Sequence, residues 1–155
     1  MNHSLEAPIE KEFLIKQLTF IDENYQELNS LYLSSTPLKE RIKDFLSIYV
    51  REVEQYITLY SRVSSDQPLR KVFIGTKVTL LFEGENDRED YHICLPEHSD
   101  PDNGCISFLS PVGRQLLLKN LGEQTSLIIP SGQLDVVIEN ISYSGRDKAT
   151  GSLSQ

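Results

Sequence analysis

The feature that most constrains the fold of this chain is an apolar repeat that occurs twice within its first 66 residues. In the first segment the apolar positions are spaced alternately four and three residues apart, at Leu14, Leu18, Ile21, Tyr25, Leu28 and Tyr32. The second segment repeats the spacing at Ile42, Leu46, Tyr49, Val53, Tyr56, Tyr60 and Val63. This heptad pattern is typical of helices that pack along a shared seam, and it therefore predicts two long helices.

The segment between the two seams predicts a tight turn at residues 34–37. Thr36 is a good helix N-cap, and Pro37 suits the first helical position, where a missing N–H costs nothing. We therefore expect residues 1–66 to form an antiparallel helical hairpin, a coiled coil, whose tip carries Ser34, Ser35, Thr36 and Pro37. Arms of about 25 residues would extend about 37 Å.

The second predicted helix has a wide apolar stripe, since further apolar residues flank its seam at Phe45, Ile48, Ile57 and Leu59. We expect part of this stripe to pack on the other domain or on a second chain, which leaves a homodimer open. The hairpin could also be half of a four-helix bundle. Against this, the rest of the sequence predicts strands and supplies no second helix pair.

Charge and composition narrow the class of protein. The net charge of −8 disfavours a free-standing nucleic-acid-binding protein, because a phosphate-binding surface needs clustered Lys and Arg. We expect no direct sequence-specific contact with nucleic acid. No apolar run approaches the roughly 20 residues that cross a bilayer, and the N-terminal residues do not resemble a secretion signal. We therefore expect a cytoplasmic protein that does not enter the membrane.

Beyond a linker at residues 64–68 the sequence predicts a second domain over residues 67–143. Runs rich in β-branched and aromatic residues predict strands at residues 72–82, 91–95, 105–108, 126–129 and 133–143. In the last strand, Leu134, Val136, Ile138 and Ile141 indicate one buried face. We expect a small antiparallel sheet with one helix packed on it, which makes the whole chain α+β. Residues 144–155 contain mainly Gly, Ser, Thr and charged residues and predict a disordered tail.

The helix of this domain begins at a capped corner. Ser110 is a good N-cap, and Pro111 suits the first helical position. The helix is expected to run for about three turns and to end at Leu121–Gly122, where Gly122 fits the left-handed position after a helix. A strand, a cap and a helix within so few residues form a rigid corner that projects outward, which suits it to docking.

Other groups of polar residues have weaker functional interpretations. His92 and Cys94 could offer two zinc ligands, but structural zinc requires four and no partner pair follows at the usual spacing. The segment 100–104 resembles a calcium loop yet lacks its terminal Glu, so a turn is expected. Cys94 and Cys105 could face each other on neighbouring strands, although buried free thiols are commoner. We expect no metal and no cofactor. The acidic run Glu83, Glu85, Asp87, Glu89 and Asp90 is expected to be a solvated turn, or a contact for a basic patch on a partner.

One family resemblance accounts for the second domain. The segment Ser-Pro-Val-Gly-Arg at residues 110–114, then Leu-Gly-Glu at 121–123, a strand, the turn Pro-Ser-Gly at 130–132 and a final apolar strand resemble the C-terminal domain of the bacterial Gre transcript-cleavage factors. Residues 72–81 resemble that domain's first strand. A helical hairpin before this domain is the order found in the Gre family too.

The resemblance implies an FKBP-like fold for the second domain and bacterial RNA polymerase as the partner. In this family the globular domain docks on the rim of the polymerase secondary channel, and the hairpin enters the channel. On this basis the docking residues would be Leu109, Ser110, Pro111, Val112 and Arg114. Arg114 could equally be an ordinary surface charge.

At the hairpin tip the sequence departs from the family pattern. In Gre factors an Asp and a Glu at the tip help to hold a second Mg²⁺ for RNA cleavage, because a hard divalent cation needs carboxylate oxygens. Here the predicted turn contains no acid. Glu40 and Asp44 follow it, four residues apart on one face of the predicted second helix, with Lys39, Arg41 and Lys43 around them. They form either an ordinary solvated helix face or a metal-holding pair.

The predicted arms are also shorter than those of the cleavage factors, and the chain is similar in both respects to Rnk-type members, which lack the cleavage acids. We therefore expect a non-catalytic regulator that occupies the secondary channel. The alternative is a transcript-cleavage factor that uses Glu40 and Asp44. Prolyl isomerase activity is not expected, because its site is an aromatic-lined cleft and the sequence contains no Trp.

Overall fold

The computed structural model describes residues 9–60 and 68–144, and the side chains from Lys11 onward. The chain divides into two compact units, with the boundary between Gln67 and Pro68. We call residues 9–60 the helical unit and residues 68–144 the sheet unit. The seam position Val63, the linker residues 64–67 and the predicted tail from residue 145 onward lie outside the described residues.

The helical unit contains three α-helices. They are α1 (Ile9–Glu23), α2 (Tyr25–Ser35) and α3 (Phe45–Leu59). The first predicted helix is therefore present but is interrupted at Asn24. The side-chain amide of Asn24 donates a hydrogen bond to the carbonyl oxygen of Phe20 at 2.9 Å, a local bond of the kind that competes with the helix backbone.

Both predicted seams supply the core of the helical unit. The buried seam positions are Leu14, Ile21, Leu28 and Tyr32 in the first segment and Leu46, Tyr49, Val53 and Tyr56 in the second. Leu18, Tyr25 and Tyr60 are half-buried. Ile42 is the exception, because its side chain is 53% exposed. Ile48 and Ile57 are half-buried beside the seam, and Leu59 is exposed.

Contacts between the two helical segments follow opposite orders along the chain. The Tyr49 hydroxyl donates to Oε1 of Gln17. The ring of Tyr32, which comes after Gln17 in the first segment, stacks on the ring of Phe45, and the two centroids lie 4.6 Å apart. Phe45 comes before Tyr49 in the second segment. The two segments therefore run in opposite directions.

The second helix begins later than the N-cap signal predicts. Thr36 does not start α3; it is the residue that ends α2, and Pro37 precedes a short 3-10 turn at Leu38–Glu40. Asp44 then adopts a left-handed conformation (φ 57°) directly before α3. The connection therefore covers residues 36–44, which we call the tip segment.

Long-range hydrogen bonds explain this difference. The guanidinium of Arg41 donates to the carbonyl oxygens of Leu33 (2.7 Å) and Thr36 (3.0 Å), at the open end of α2. The N–H of Ile42 donates to the hydroxyl of Tyr32 at 2.8 Å. These bonds hold Arg41 and Ile42 outside a helix, and they outweigh the local preference of Thr36 and Pro37.

The sheet unit contains one five-stranded sheet in the order β3-β2-β1-β5-β4. The strands are β1 (Thr76–Phe82), β2 (Asp87–Cys94), β3 (Cys105–Ser107), β4 (Gln124–Ile129) and β5 (Gly132–Tyr143). The predicted strands are all found, although β1 begins at Thr76 and β2 already at Asp87. Asp87, Glu89 and Asp90 therefore lie in β2 and not in the preceding turn.

The sheet is mixed, and the prediction of a purely antiparallel sheet is wrong. β2 and β3 are parallel, with His92 opposite Cys105 and Cys94 opposite Ser107. Two 3-10 turns, Pro96–His98 and Pro101–Asn103, lie between these strands. This connection brings the chain back only to the level of His92, near the end of β2, and β3 then runs beside the last residues of β2 in the same direction.

A β-bulge in β5 sets the face that is buried. Thr79 pairs with Asn140 and Leu80 pairs with Ile138, so Glu139 is an extra residue. The extra residue reverses the alternation of buried and exposed side chains along β5. Ile138 and Ile141 therefore both point into the core, where each is fully buried. The predicted buried face of β5 is confirmed at Val136, Ile138 and Ile141, while Leu134 is half-buried.

The helix after the corner is shorter than predicted. It is α4 (Pro111–Leu116), and Leu118 then adopts a left-handed conformation (φ 69°). The reason is a competing pairing: the N–H of Leu118 donates to the Val72 carbonyl oxygen at 2.8 Å, and the N–H of Val72 donates to Lys119 at 2.9 Å. Gly122 is left-handed (φ 83°) as predicted, but it belongs to the turn before β4.

The end of the sheet unit and the character of the helices remain to be described. Ser144, predicted to begin the tail, donates its N–H to Gly75 at 3.0 Å and its hydroxyl lies 2.9 Å from Nδ1 of His92. In the ranges 9–60 and 68–144, no helix combines the length and the apolar character needed to cross a membrane.

Candidate functional site

The corner, residues 107–114, is held together by its own hydrogen bonds. Ser110 Oγ accepts a bond from the N–H of Gly113 at 3.2 Å and donates to the carbonyl oxygen of Ser107 at 2.7 Å. The hydroxyl oxygen of Ser107 accepts a bond from the N–H of Leu109 at 2.9 Å. The predicted roles of Ser110 as N-cap and Pro111 as first helical residue are confirmed. The end of β3 and the start of α4 are thus joined rigidly.

Gly113 is essential to this geometry, and the sequence analysis did not identify it. A Cβ at this position would lie 2.1 Å from the carbonyl oxygen of Ser107, far inside van der Waals contact. Only glycine therefore lets α4 approach the end of β3 so closely. Glycine is unfavourable within a helix, so a glycine in the first turn of a predicted helix indicates that another part of the backbone packs closely against it.

Arg114 stabilises the corner from within the helix. Its Nη1 donates to the carbonyl oxygen of Leu109 at 2.8 Å, and its side chain is half-buried. Both interpretations of this residue, a docking contact and an ordinary surface charge, stay predictions. The guanidinium holds the backbone that precedes the cap.

The structure brings the predicted docking residues together, but they are not equally exposed. Pro111 is exposed, whereas Ser110, Val112 and Arg114 are half-buried. Leu109 is only 7% exposed, so its side chain belongs to the core and not to the surface. The surface of the corner is therefore centred on Pro111.

Gln115 is a second residue that sequence reasoning missed. Its Nε2 donates to the carbonyl oxygens of Pro111 (3.0 Å) and Ile128 (2.8 Å), and its Oε1 accepts the N–H of Ile128 at 2.8 Å. One side chain thus joins the corner to the edge strand β4. A glutamine in a short helix carries no sequence signal for such a contact, because the partner strand lies 13 residues away.

The predicted tip residues are divided between α2 and the tip segment. Ser34 and Ser35 end α2, and the Ser34 hydroxyl donates to the carbonyl oxygen of Leu31 at 3.2 Å. Thr36 is buried, and its hydroxyl has no hydrogen-bond partner among the described residues. Pro37 is exposed.

Glu40 and Asp44 do not share a helix face. Glu40 lies in the 3-10 turn, and Asp44 is the left-handed residue before α3. Both side chains are exposed. In the described ranges, no three side chains of His, Cys, Asp or Glu are grouped so that they could hold a metal ion.

The surface of the tip segment also contains exposed apolar and basic side chains. Leu38 is 76% exposed and Ile42 is 53% exposed. Lys39 and Lys43 are exposed beside them. The tip segment therefore exposes apolar and basic side chains together with the carboxylates of Glu40 and Asp44.

The cysteines, the turn at residues 100–104 and His92 each lie in an ordinary structural setting. Cys94 and Cys105 are buried in one core cluster and are not joined in a disulfide. Asp100 Oδ2 accepts a bond from Nδ2 of Asn103 at 2.7 Å, and the backbone of Asp100 pairs with Cys105, so residues 100–104 form a turn as predicted. His92 lies on β2 with its Nδ1 next to Ser144.

The acidic residues of β2 lie on an exposed part of the sheet and are individually bonded. Arg88 makes two hydrogen bonds to Glu139, of 2.6 and 2.9 Å, and these lower the pKa of the Glu139 carboxyl. Thr79 donates to Asp90 at 2.7 Å. Burial and a hydrogen bond to Glu89 raise the pKa of Tyr91 to about 12. Glu83 and Glu85 remain exposed in the turn between β1 and β2.

Comparison with known proteins identifies the family of the chain. Residues 67–143 match the sequence model of the family described as transcription elongation factor, GreA/GreB, C-term. Transcription elongation factor GreA of Lactococcus lactis subsp. cremoris (strain SK11) is 30% identical over 142 residues, which are 88% of this chain and 90% of that protein. This chain belongs to the GreA/GreB family.

Other relatives in the GreA/GreB family match mainly through part of the chain. Transcription elongation factor GreA of Desulfovibrio desulfuricans is 34% identical over 97 residues, which span 62% of this chain and 60% of the relative. A GreA/GreB structure from Nitrosomonas europaea is similar at 21% identity and a TM-score of 0.45, over 64% of this chain and 93% of the other. GreA factor homolog 1 of Thermus thermophilus is similar at 21% identity and a TM-score of 0.43, over 84% and 93%.

Proposed function

We propose that this protein is a transcription elongation regulator that binds bacterial RNA polymerase and does not stimulate transcript cleavage. The sheet unit, as an FKBP-like domain, docks on the rim of the secondary channel through the corner. The helical unit, as an antiparallel coiled-coil hairpin, enters the channel and occupies it. The protein then acts in the cytoplasm, where the polymerase is found. Membership of the GreA/GreB family supports the proposal that RNA polymerase is the partner.

The corner supports docking because it is rigid and presents an exposed apolar residue. Ser110, Gly113 and Arg114 fix the backbone through hydrogen bonds and close packing. Pro111 stands at the surface of this fixed backbone. A preorganised surface loses little conformational entropy on binding, so more of its contact energy appears as affinity.

The tip supports a non-catalytic role, and this is the observation that carries the proposal. Two-metal hydrolysis needs carboxylate oxygens held so that the second cation is positioned. Glu40 and Asp44 belong to different elements, and Asp44 is tied to an unusual backbone conformation. Leu38 and Ile42 are exposed in the same segment. We therefore propose that the hairpin acts by filling the channel and excluding other factors or substrates.

Replacing Ser110 and Pro111 together by Ala tests the docking half of the proposal. The double variant loses the N-cap bond and the exposed proline, so we expect capture of core RNA polymerase to fall at least tenfold. The measurement is quantitative pull-down with the full chain as bait, and circular dichroism checks that the variant still unfolds cooperatively. Unchanged capture by a folded variant would show that the corner is not the docking site.

A further inference from the structure

An open groove lies between the first segment and α3 of the helical unit, with a volume of about 510 Å³. Its floor is apolar, because Ile21 is fully buried beneath it and Leu18 and Val50 line it as half-buried side chains. Tyr25 and Ser47 also line the groove, and their hydroxyl oxygens lie 2.9 Å apart, which joins the start of α2 to α3. The helical unit therefore has a formed groove whose apolar floor is still partly open to solvent.

The charged side chains that line this groove are mostly acidic. Asp22, Glu23 and Glu54 contribute three exposed carboxylates, and Arg51 adds one positive charge. We call the three carboxylates the acidic rim. None of them pairs with a basic side chain within the described residues. A nucleic acid is disfavoured as the ligand, because its phosphates would meet this negative charge. The groove therefore suits a protein segment that combines exposed apolar side chains with positive charge.

The tip segment of this chain has these properties. Leu38 is 76% exposed and Ile42 is 53% exposed. Lys39 and Lys43 are exposed in the same segment. Residues 36–44 contain three basic and two acidic side chains, although the whole chain has a net charge of −8. Covering the two apolar side chains would be favourable, because it removes apolar surface from water.

We propose that this chain forms a homodimer in which the tip segment of each copy lies in the groove of the other copy. Leu38 and Ile42 cover the apolar floor, and Lys39 and Lys43 face the acidic rim. Each copy supplies one groove and one tip segment, so a pair with two-fold symmetry makes the same contact twice. This inference goes beyond the proposed function and does not depend on polymerase binding.

The positions of the two surfaces along α3 favour contact between copies. Val50 lies on α3 six residues after Asp44, the last residue of the tip segment, which is about 9 Å of helix. Because a helix separates them, the tip segment cannot fold back into the groove of its own chain. Two helical units packed antiparallel with a small offset bring both tip segments to both grooves at once.

Sedimentation equilibrium of the full chain tests the dimer. We expect dimer to predominate at a chain concentration of about 200 µM and to dissociate on dilution. Leu38→Ser should raise the dissociation constant about tenfold, because it removes an apolar contact from both halves of the interface. Leu59→Ser is the matched control, since Leu59 is 72% exposed but does not line the groove, and it should change the constant less than about twofold.

A charge-reversal experiment tests which surfaces meet. Asp22→Lys with Glu54→Lys reverses the charge of the groove, and Lys39→Glu with Lys43→Glu reverses that of the tip segment. Each double variant alone should remain monomeric at about 200 µM, because like charges then meet in both contacts. An equimolar mixture should dimerise again, because the reversed groove meets the reversed tip and the two original surfaces also meet.

Circular dichroism confirms that each variant is folded, and the remaining results decide the inference. A wild-type chain that stays monomeric at about 200 µM overturns it. If Leu59→Ser dissociates the dimer and Leu38→Ser does not, the copies pair through the apolar stripe of α3, which also overturns it. A mixture of the two charge-reversed variants that stays monomeric would show that the groove and the tip segment do not meet.

Discussion

At Gly113 the backbone of α4 lies so close to the Ser107 carbonyl oxygen that no side chain fits between them. This contact brings the cap, the strand end and the helix into one rigid corner. It also shows what local sequence signals can and cannot give. The cap role of Ser110 follows from its residue type and position. The need for Gly113 arises from a strand end that packs across the helix, and residue preferences do not describe such packing.

Gly113→Ala tests the importance of this approach. Alanine is better than glycine within a helix by about 1 kcal/mol, so helix preference alone predicts stabilisation. The clash with backbone should outweigh this gain and lower the free energy of unfolding by about 2 kcal/mol. Urea denaturation of the full chain measures the change. Gly84→Ala is the control, because a Cβ there meets nothing within 4 Å, and its stability should stay within about 0.5 kcal/mol of the wild type. A Gly113→Ala protein as stable as the wild type would contradict the structure of the corner.

At the scale of elements, the heptad seams and the strands were predictable because their burial follows from simple periods. Leu14, Ile21, Leu46 and Tyr49 are buried as predicted. The bulge in β5 is also visible in the sequence, since the predicted buried residues Ile138 and Ile141 differ in parity. The start of α3 was not predictable, because the bonds of Arg41 and Tyr32 cross from one segment to another. The parallel pairing of β3 also depends on contacts with residues that are distant in the sequence, here those at the end of β2.

Arg41→Gln tests the hydrogen bonds that shape the tip segment. The change removes the bonds from the guanidinium to Leu33 and Thr36. The open end of α2 should then fray, and native-state hydrogen exchange of the Ile42 amide should accelerate about tenfold, which corresponds to about 1.4 kcal/mol. Lys43→Gln removes a charge from the same exposed segment and should leave this exchange rate nearly unchanged. If the two variants exchange alike, the tip is not held by Arg41.

At the scale of the whole molecule, the chain consists of two units, for which we propose different roles. The sheet unit carries a preorganised corner, and the family match covers it almost completely. The helical unit carries a tip segment that exposes Leu38 and Ile42 and in which Glu40 and Asp44 belong to different elements. The resemblance to Gre factors could be predicted from the corner motif, and the structure corrects how the tip is built. Binding to polymerase with an altered tip is therefore the central claim.

A transcript-cleavage assay on stalled RNA polymerase complexes tests this claim most directly. The complexes carry labelled RNA and are incubated with Mg²⁺ and the full chain at concentrations that saturate binding. We predict that the RNA keeps its length with the wild type, and that Glu40→Ala and Asp44→Ala behave in the same way. Shortening of the RNA by the wild type that is lost on Glu40→Ala would contradict the account and identify a cleavage factor.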